Sequence, residues 1–222
     1  MIQQLYNIFK EKWFNEWKVE RIFLYSDLHL KGNGASLDQD AINIRKFFNY
    51  ASDELQIENI NRQLNKNDLF ICLGDVGDQN QISKIKAKRK ILIKGNHDSG
   101  DSNYTNFDEV ISGICTISDR IVLSHEPMVK ELKSLGLFNI CGHIHNQFEI
   151  DKLHEEGYNN FLCISANLHN YEPINLGDLF NRKNEFKDFK GLSECQGIHR
   201  IVIDKAVARK QQRKDLSKFE TI

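Results

Sequence analysis

The sequence predicts an α/β protein, a layered sandwich of two mixed sheets with helices outside. Apolar, β-branched runs of strand length at residues 21–26, 68–73 and 90–93 alternate with helical patterns in the first half. Further on, runs at 114–117, 120–123, 137–141, 161–165 and 198–203 pair with one another. Several of these runs end in a polar turn bearing aspartate, asparagine or histidine, the place where α/β sheets present their chemistry.

Residues 2–17 carry Ile2, Leu5, Phe9, Trp13 and Trp17 at mostly four-residue spacing. This predicts an amphipathic helix whose aromatic face packs on the domain, ahead of a dimer contact or a membrane surface. The first buried strand ends in Asp27-Leu28-His29, where extended backbone would point Asp27 and His29 the same way. Residues 36–64 read as one helix capped by Ser36, with Ile42, Phe47, Phe48 and Leu55 on its inner face. The second strand runs into Gly74-Asp75-Val76-Gly77-Asp78, and 79–88 read as a short basic helix. The third strand stops at Gly95-Asn96-His97-Asp98, and a polar loop follows over 99–108. A hairpin split by Ser118-Asp119 delivers His125. A helix through Lys130 and Leu132 precedes a strand ending in Gly142-His143-Ile144-His145. Residues 151–160 read as a turn, 176–186 as helix and 198–203 as a final strand. The expected division is an appended helix over 1–19, a domain over 20–204 and a basic tail over 205–222.

Composition narrows the function. With 30 Lys+Arg against 31 Asp+Glu, no bulk field points to nucleic acid or a membrane surface. The first 18 residues lack the apolar core of a signal peptide or a membrane span. The five cysteines form no Cys-x-x-Cys pair, and four sit in apolar strand-like runs, so a reducing, cytoplasmic setting is expected.

Five separated segments each end a strand with metal-ligand chemistry, and they hold five of the eight histidines. Any one alone has a structural explanation: His125 as a hydrogen-bonded surface histidine, Gly74-Asp75 as a turn. Their ordered conjunction does not, because carboxylates and imidazoles gathered in one crevice are costly unless cations neutralise them.

In this order (Asp27-x-His29, Gly74-Asp75, Gly95-Asn96-His97-Asp98, His125, Gly142-His143-x-His145) the chain resembles the calcineurin-like metallophosphoesterase superfamily. The resemblance runs from about Arg21 to Pro173 and looks most like the small bacterial and phage forms. It implies a four-layer αββα sandwich and a two-metal site. Asp27, His29, Asp75 and His145 would hold one ion; Asp75, Asn96, His125 and His143 the other, with Asp75 bridging. Such a site activates a shared water for in-line attack on phosphorus. His97 would stabilise phosphoryl charge or protonate the departing oxygen, with Asp98 fixing its tautomer; the alternative for Asp98 is a turn-capping carboxylate. The mixed donor set favours two transition-metal ions, manganese first, then iron, zinc or nickel, over magnesium or calcium.

The chain also departs from its relatives. The arginine that follows Gly-Asp in Ser/Thr protein phosphatases is missing from Gly74–Gln79, which counts against protein dephosphorylation. Leu30-Lys31-Gly32-Asn33 stands where many small relatives carry a phenylalanine, a glycine and a second histidine, and Lys31 reads as solvated ahead of a contact to substrate phosphate. Asn167 and His169 could line the cleft, whereas His154 and His199 suggest no special role. The expected activity is hydrolysis of a small phosphoester, a diester (a nucleotide among them) ahead of a monoester. A nuclease using the basic tail, and a protein-binding scaffold with a silent site, are the competing readings. The scaffold ranks low because all seven ligand positions and His97 hold the expected residue types.

Overall fold

The structure is a computed structural model that describes residues 13, 16–32, 37–98, 104–117 and 121–181, the last three without their side chains. The bulk of the 2–17 helix, the 198–203 strand and the basic tail lie outside the described residues.

Two sheets form from strands whose alternate residues face two different apolar layers. The first contains β1 (Ile22–Tyr25), β2 (Leu69–Cys72), β3 (Arg89–Ile93), β4 (Glu109–Ile111) and β9 (Ile174–Asn175), in the order β4-β3-β2-β1-β9. β1 to β4 are parallel, with Ile22 opposite Leu69 and Ile71 opposite Ile91, and β9 joins the edge antiparallel. The second contains β5 (Ile114–Thr116), β6 (Ile121–Ser124), β7 (Phe138–Cys141) and β8 (Phe161–Cys163), in sequence order. Only its β5–β6 pair is antiparallel.

The alternation sorts the side chains into layers. Leu24, Ile71, Ile91 and Ile93 of the first sheet meet Ile121, Leu123 and Ile140 of the second, with Trp13 buried among them. On the outer face of the first sheet, Phe23, Tyr25, Phe70 and Leu92 pack with Ile60, Leu64 and Ile82. On the outer face of the second, Val122 packs with Leu132, and Phe161 and Cys163 with Ile150. Helices outside and sheets back to back give the four-layer sandwich expected from the sequence.

Several elements differ from expectation. The 36–64 helix is two helices, α1 (Gln39–Phe47) and α2 (Asp53–Gln63), capped by Asp38 and Ser52, not Ser36. The break falls at Phe48–Ser52, where Asn49 takes a left-handed φ of 48°. It lets the two helices pack separately, and Ile42, Phe47 and Leu55, predicted inward, are 41%, 82% and 44% exposed. Residues 151–160 are mostly not a turn: α4 (Gln147–Glu155) starts directly after the last histidine motif. A reciprocal cap starts it there, Asn146 Oδ1 accepting from Glu149 N–H at 2.9 Å while its Nδ2 donates to Glu149 Oε1 at 2.8 Å. The 79–88 segment is a 3₁₀ turn over Gln79–Lys84, and β4 and β9 were not foreseen. α3 (Val129–Ser134) and α5 (Leu176–Asn181) fall inside their predicted regions.

Candidate metal centre

All five motifs lie just beyond the carboxyl ends of the central parallel strands β1, β2, β3, β6 and β7, and the two sheets bring those ends together. Ser26 bridges to Ser165 there, and Gly142 N–H donates to the His125 carbonyl at 2.9 Å. The first two ligand loops stay paired past their strands: Asp27, His29 and Leu30 N–H donate to the carbonyls of Gly74, Asp75 and Val76 at 3.0, 2.9 and 2.9 Å.

The backbone there is strained. Asp27, His29, Asp75 and His143 all take left-handed φ values, 58°, 43°, 54° and 70°. Each costs on the order of 1–3 kcal/mol and persists only where the surroundings impose it, as they do at functional sites. Asp27 and His29 thus converge through two left-handed residues, not through the strand alternation expected. Glycine is required where these loops cross. A Cβ on Gly95 would run into the Asp75 carboxylate, and one on Gly142 into the side chains of Ser26 and Asp27.

Every ligand position predicted from the sequence reaches one cluster. The Asp27 carboxylate accepts from His143 N–H at 3.0 Å and from Ser165 Oγ at 2.9 Å, and lies 3.5 Å from His145 Nε2. Asp75 Oδ1 accepts from the backbone N–H of His97 at 3.0 Å, while Oδ2 lies 3.3 Å from His125 Nε2 and 3.8 Å from His29 Nε2. Asn96 Oδ1 is 2.9 Å from both His125 Nε2 and His143 Nδ1. Two overlapping groups have ligand atoms close enough to share an ion: Asp27, His29 and His145, and Asp27, Asp75 and His125.

Neighbours fix which ring nitrogen faces the cluster. His125 Nδ1 lies 2.7 Å from the Leu73 carbonyl, which only accepts, so Nδ1 carries the proton and Nε2 is left as a donor to a cation. His145 Nδ1 is held by Tyr50 Oη at 3.1 Å and Asn167 Oδ1 at 3.2 Å, turning Nε2 toward Asp27. Tyr50 was not foreseen; only its place in the break between α1 and α2 brings it here. His169 instead faces the Cys163 carbonyl at 2.8 Å.

The roles of the two residues that close the third motif separate. Asp98 was expected to orient His97. Its carboxylate is instead occupied by three backbone N–H groups, those of Asp75 and Gly95 at 2.8 Å and of Val76 at 3.1 Å. It ties two ligand loops together, which is the turn-capping alternative. The carboxylate on the His97 ring belongs to Asp38, whose Oδ2 lies 2.7 Å from Nδ1.

Charge in the cluster is arranged around Asp75. Burial would raise its carboxyl, but the hydrogen bond and charge of His125, with His29 and His97 nearby, hold it well below the usual carboxylate range. Burial works against a proton on His125, yet Asp75 outweighs it and lifts the imidazole to about 10. Burial brings His29 down to about 4 despite Asp27 and Asp75. For His97 burial opposes the proton, and Asp38 and Asp75 overcome it, so its pKa is raised.

These residues fit a divalent cation. Both ring nitrogens of His29 are buried with no hydrogen-bond partner, an arrangement that is costly in itself and half of which a metal ion would relieve by taking one nitrogen as a ligand. The field that protonates His125 favours a cation in the same place, and imidazole, amide and carboxylate donors together suit transition metals.

Fold and site together define a layered α/β protein with a candidate metal centre at the joined strand ends. The chain belongs to the calcineurin-like phosphoesterases, whose family model matches residues 20–194. It is also similar to the crystal structure of a protein of unknown function from Aquifex aeolicus, with a TM-score of 0.57 and 20% identity over 73% of this chain and 98% of that one. At that identity the likeness concerns the fold. No curated protein matches the chain. Among the described residues no helix is long and apolar enough to cross a membrane.

Proposed function

We propose that the protein is a metal-dependent phosphoester hydrolase, acting on a small phosphodiester in preference to a monoester. One observation carries this: seven side chains from five strand ends, Asp27 and Asp75 among them, meet in one cluster, with the buried imidazole of His29 unsatisfied. Asp27, His29, Asp75 and His145 would hold one ion and Asp75, Asn96, His125 and His143 a second, manganese being the first choice. When bound, the pair would supply Lewis-acid chemistry, activating water near neutral pH and offsetting charge on the phosphoryl oxygens. Leu73, Tyr50 and Asn167 keep the imidazoles turned to their task. His97, half-buried beside His29 at a ring distance of 5.7 Å, is held through Nδ1 and keeps Nε2 for the departing oxygen.

The preference for a diester is supported by the missing arginine clamp and by a cavity of about 340 Å³ whose lining includes Leu37, the residue before Asp38, and Arg45, which donates to the His29 carbonyl. Lys31, Leu37, Ile42, Arg45 and Lys46 line it, a mixture of cationic and apolar surface suited to a second substituent on phosphorus. The test is to reconstitute the protein with manganese and compare turnover of bis-p-nitrophenyl phosphate with p-nitrophenyl phosphate. Faster turnover of the diester is expected; turnover of neither ester would overturn the proposal.

A further inference from the structure

We propose that Asp38, the N-cap of α1, is the positioning residue for His97, holding the imidazole by Nδ1 so that Nε2 is presented for proton transfer. This rests on the function proposed above but names a residue outside all five motifs.

The geometry leaves no other candidate among the described residues around the ring. Asp98 is occupied by three backbone donors, and Asp75 takes the backbone N–H of His97, not its ring. Asp38 reaches Nδ1 at 2.7 Å across 59 positions of sequence. Its carboxylate is itself held: Oδ1 accepts from Ala41 N–H at 2.8 Å, so the start of the helix aims Oδ2 at His97. A surface ion pair alone would carry little weight, since the Asp38 side chain is 53% exposed. What sets this pair apart is how α1 is fastened. Arg45 Nη1 donates to the His29 carbonyl at 2.7 Å, and the Phe48 ring, just past the helix, lies 5.5 Å from that of His145. The helix that aims the carboxylate is thereby referenced to the ligand residues at its other end.

Serine caps a helix as well as aspartate but is too short to reach His97, and asparagine keeps both the cap and an acceptor. The test compares Asp38→Ser, Asp38→Asn, His97→Ala and the Asp38→Ser/His97→Ala double variant on aryl phosphodiesters with good (p-nitrophenyl) and poor (phenyl) leaving groups. For Asp38→Ser we expect kcat on the phenyl ester to fall about 10–100-fold, part of the ~10²–10⁴ that a positioned acid supplies. The p-nitrophenyl ester should change little, with KM, metal per chain and Tm unchanged. Asp38→Asn should recover part of the loss, and the double variant should be no worse than His97→Ala.

Nitrogen-15 NMR of the histidine rings, on metal-free and zinc-loaded protein, supplies a readout that does not depend on turnover. His97 should hold its Nδ1–H in the parent and in Asp38→Asn, and lose that preference in Asp38→Ser. Equal loss on both esters with falling metal content, or an unchanged His97 tautomer in Asp38→Ser, would overturn the inference. If the parent turns over neither ester, the proposed function falls, while the tautomer still decides whether Asp38 positions His97.

Discussion

The two sides of the centre are built to different depths. Asp27, His29 and Asp75 are sealed at 0–1% exposure and His145 at 8%, enclosed by the sheet ends and by left-handed loops that only close packing sustains. Asn96 and His143 are exposed, His97 is half-buried, and the carboxylate on His97 comes from a helix that buries only Ala41. The deep side is therefore part of the fold, and its geometry is set by the same packing that joins the sheets. The open side is held by individual hydrogen bonds. A change to a deep ligand should act on metal binding and stability together, whereas a change at the open edge should act on the second ion and the chemistry and leave the fold intact.

The sharpest way to break this contrast is to remove Asp75, the carboxylate proposed to bridge the two ions. Asp75→Asn should lower activity by at least ~10³-fold, more than the ~10²–10³ that one lost hydrogen-bond donor costs, and reduce bound metal as measured by elemental analysis. His143→Ala, on the open side, should retain the ion held by Asp27, His29 and His145. Equal metal loss in the two variants would erase the distinction. A smaller effect follows from the groups that turn His145. Tyr50→Phe removes the hydroxyl that contacts both the Asp27 carbonyl and His145 Nδ1, at 2.9 and 3.1 Å. It should weaken metal affinity by roughly 10–100-fold, the usual consequence of disturbing a ligand's orienting partner, read by calorimetric titration against the parent.

Strand ends were the legible part on both sides. Asp27, His29, Asp75, His125 and His145, and equally the exposed Asn96 and His143, follow apolar runs, and an apolar run that stops at such a residue leaves a pattern in one dimension. Asp38 and Tyr50 could not be found that way. Asp38 matters because the first helix starts at Gln39 and not at Ser36, and Tyr50 because the chain breaks at a left-handed Asn49; the apolar spacing encodes neither point. Ile42 and Phe47 continue a helical pattern smoothly, so one long helix was the natural expectation, but the first helix packs on its own and buries only Ala41. Asp98 failed for a different reason. Adjacency in sequence suggested that it serves His97, but successive residues in a tight turn point apart, and its carboxylate was drawn to the N–H groups of neighbouring loops. α4 was missed although Asn146 and Glu149 carry a legible capping signal, because 151–160 read as a turn.

The smallest effect expected is one of stability, and it tests how deep the deep side is. In metal-free protein His29 keeps two buried ring nitrogens without partners. His29→Leu, which removes them at similar volume, should stabilise the metal-free fold by about 1–3 kcal/mol in urea denaturation, the cost of unsatisfied buried polar atoms. The gap should depend on pH in one direction. Burial holds the folded pKa of His29 at about 4 against its ordinary 6.5, so between those values the unfolded chain takes up a proton that the folded chain refuses. The parent therefore loses stability as pH falls from 6.5 toward 4, the leucine variant lacks that loss, and the gap between them widens. His125 acts in the adjoining window. Asp75 overcomes burial and raises its pKa to about 10, so its contribution is complete below 6.5 and is lost as pH rises through about 10. Manganese should then reverse the order of the two proteins. At a hundredfold excess over Kd a ligand adds about 2.7 kcal/mol to a fold that binds it, and only the parent offers the imidazole that completes the deep side. A gap that stays flat with pH, or one that manganese leaves unchanged, would mean that His29 is satisfied within the protein and that the depth of this side serves the fold alone.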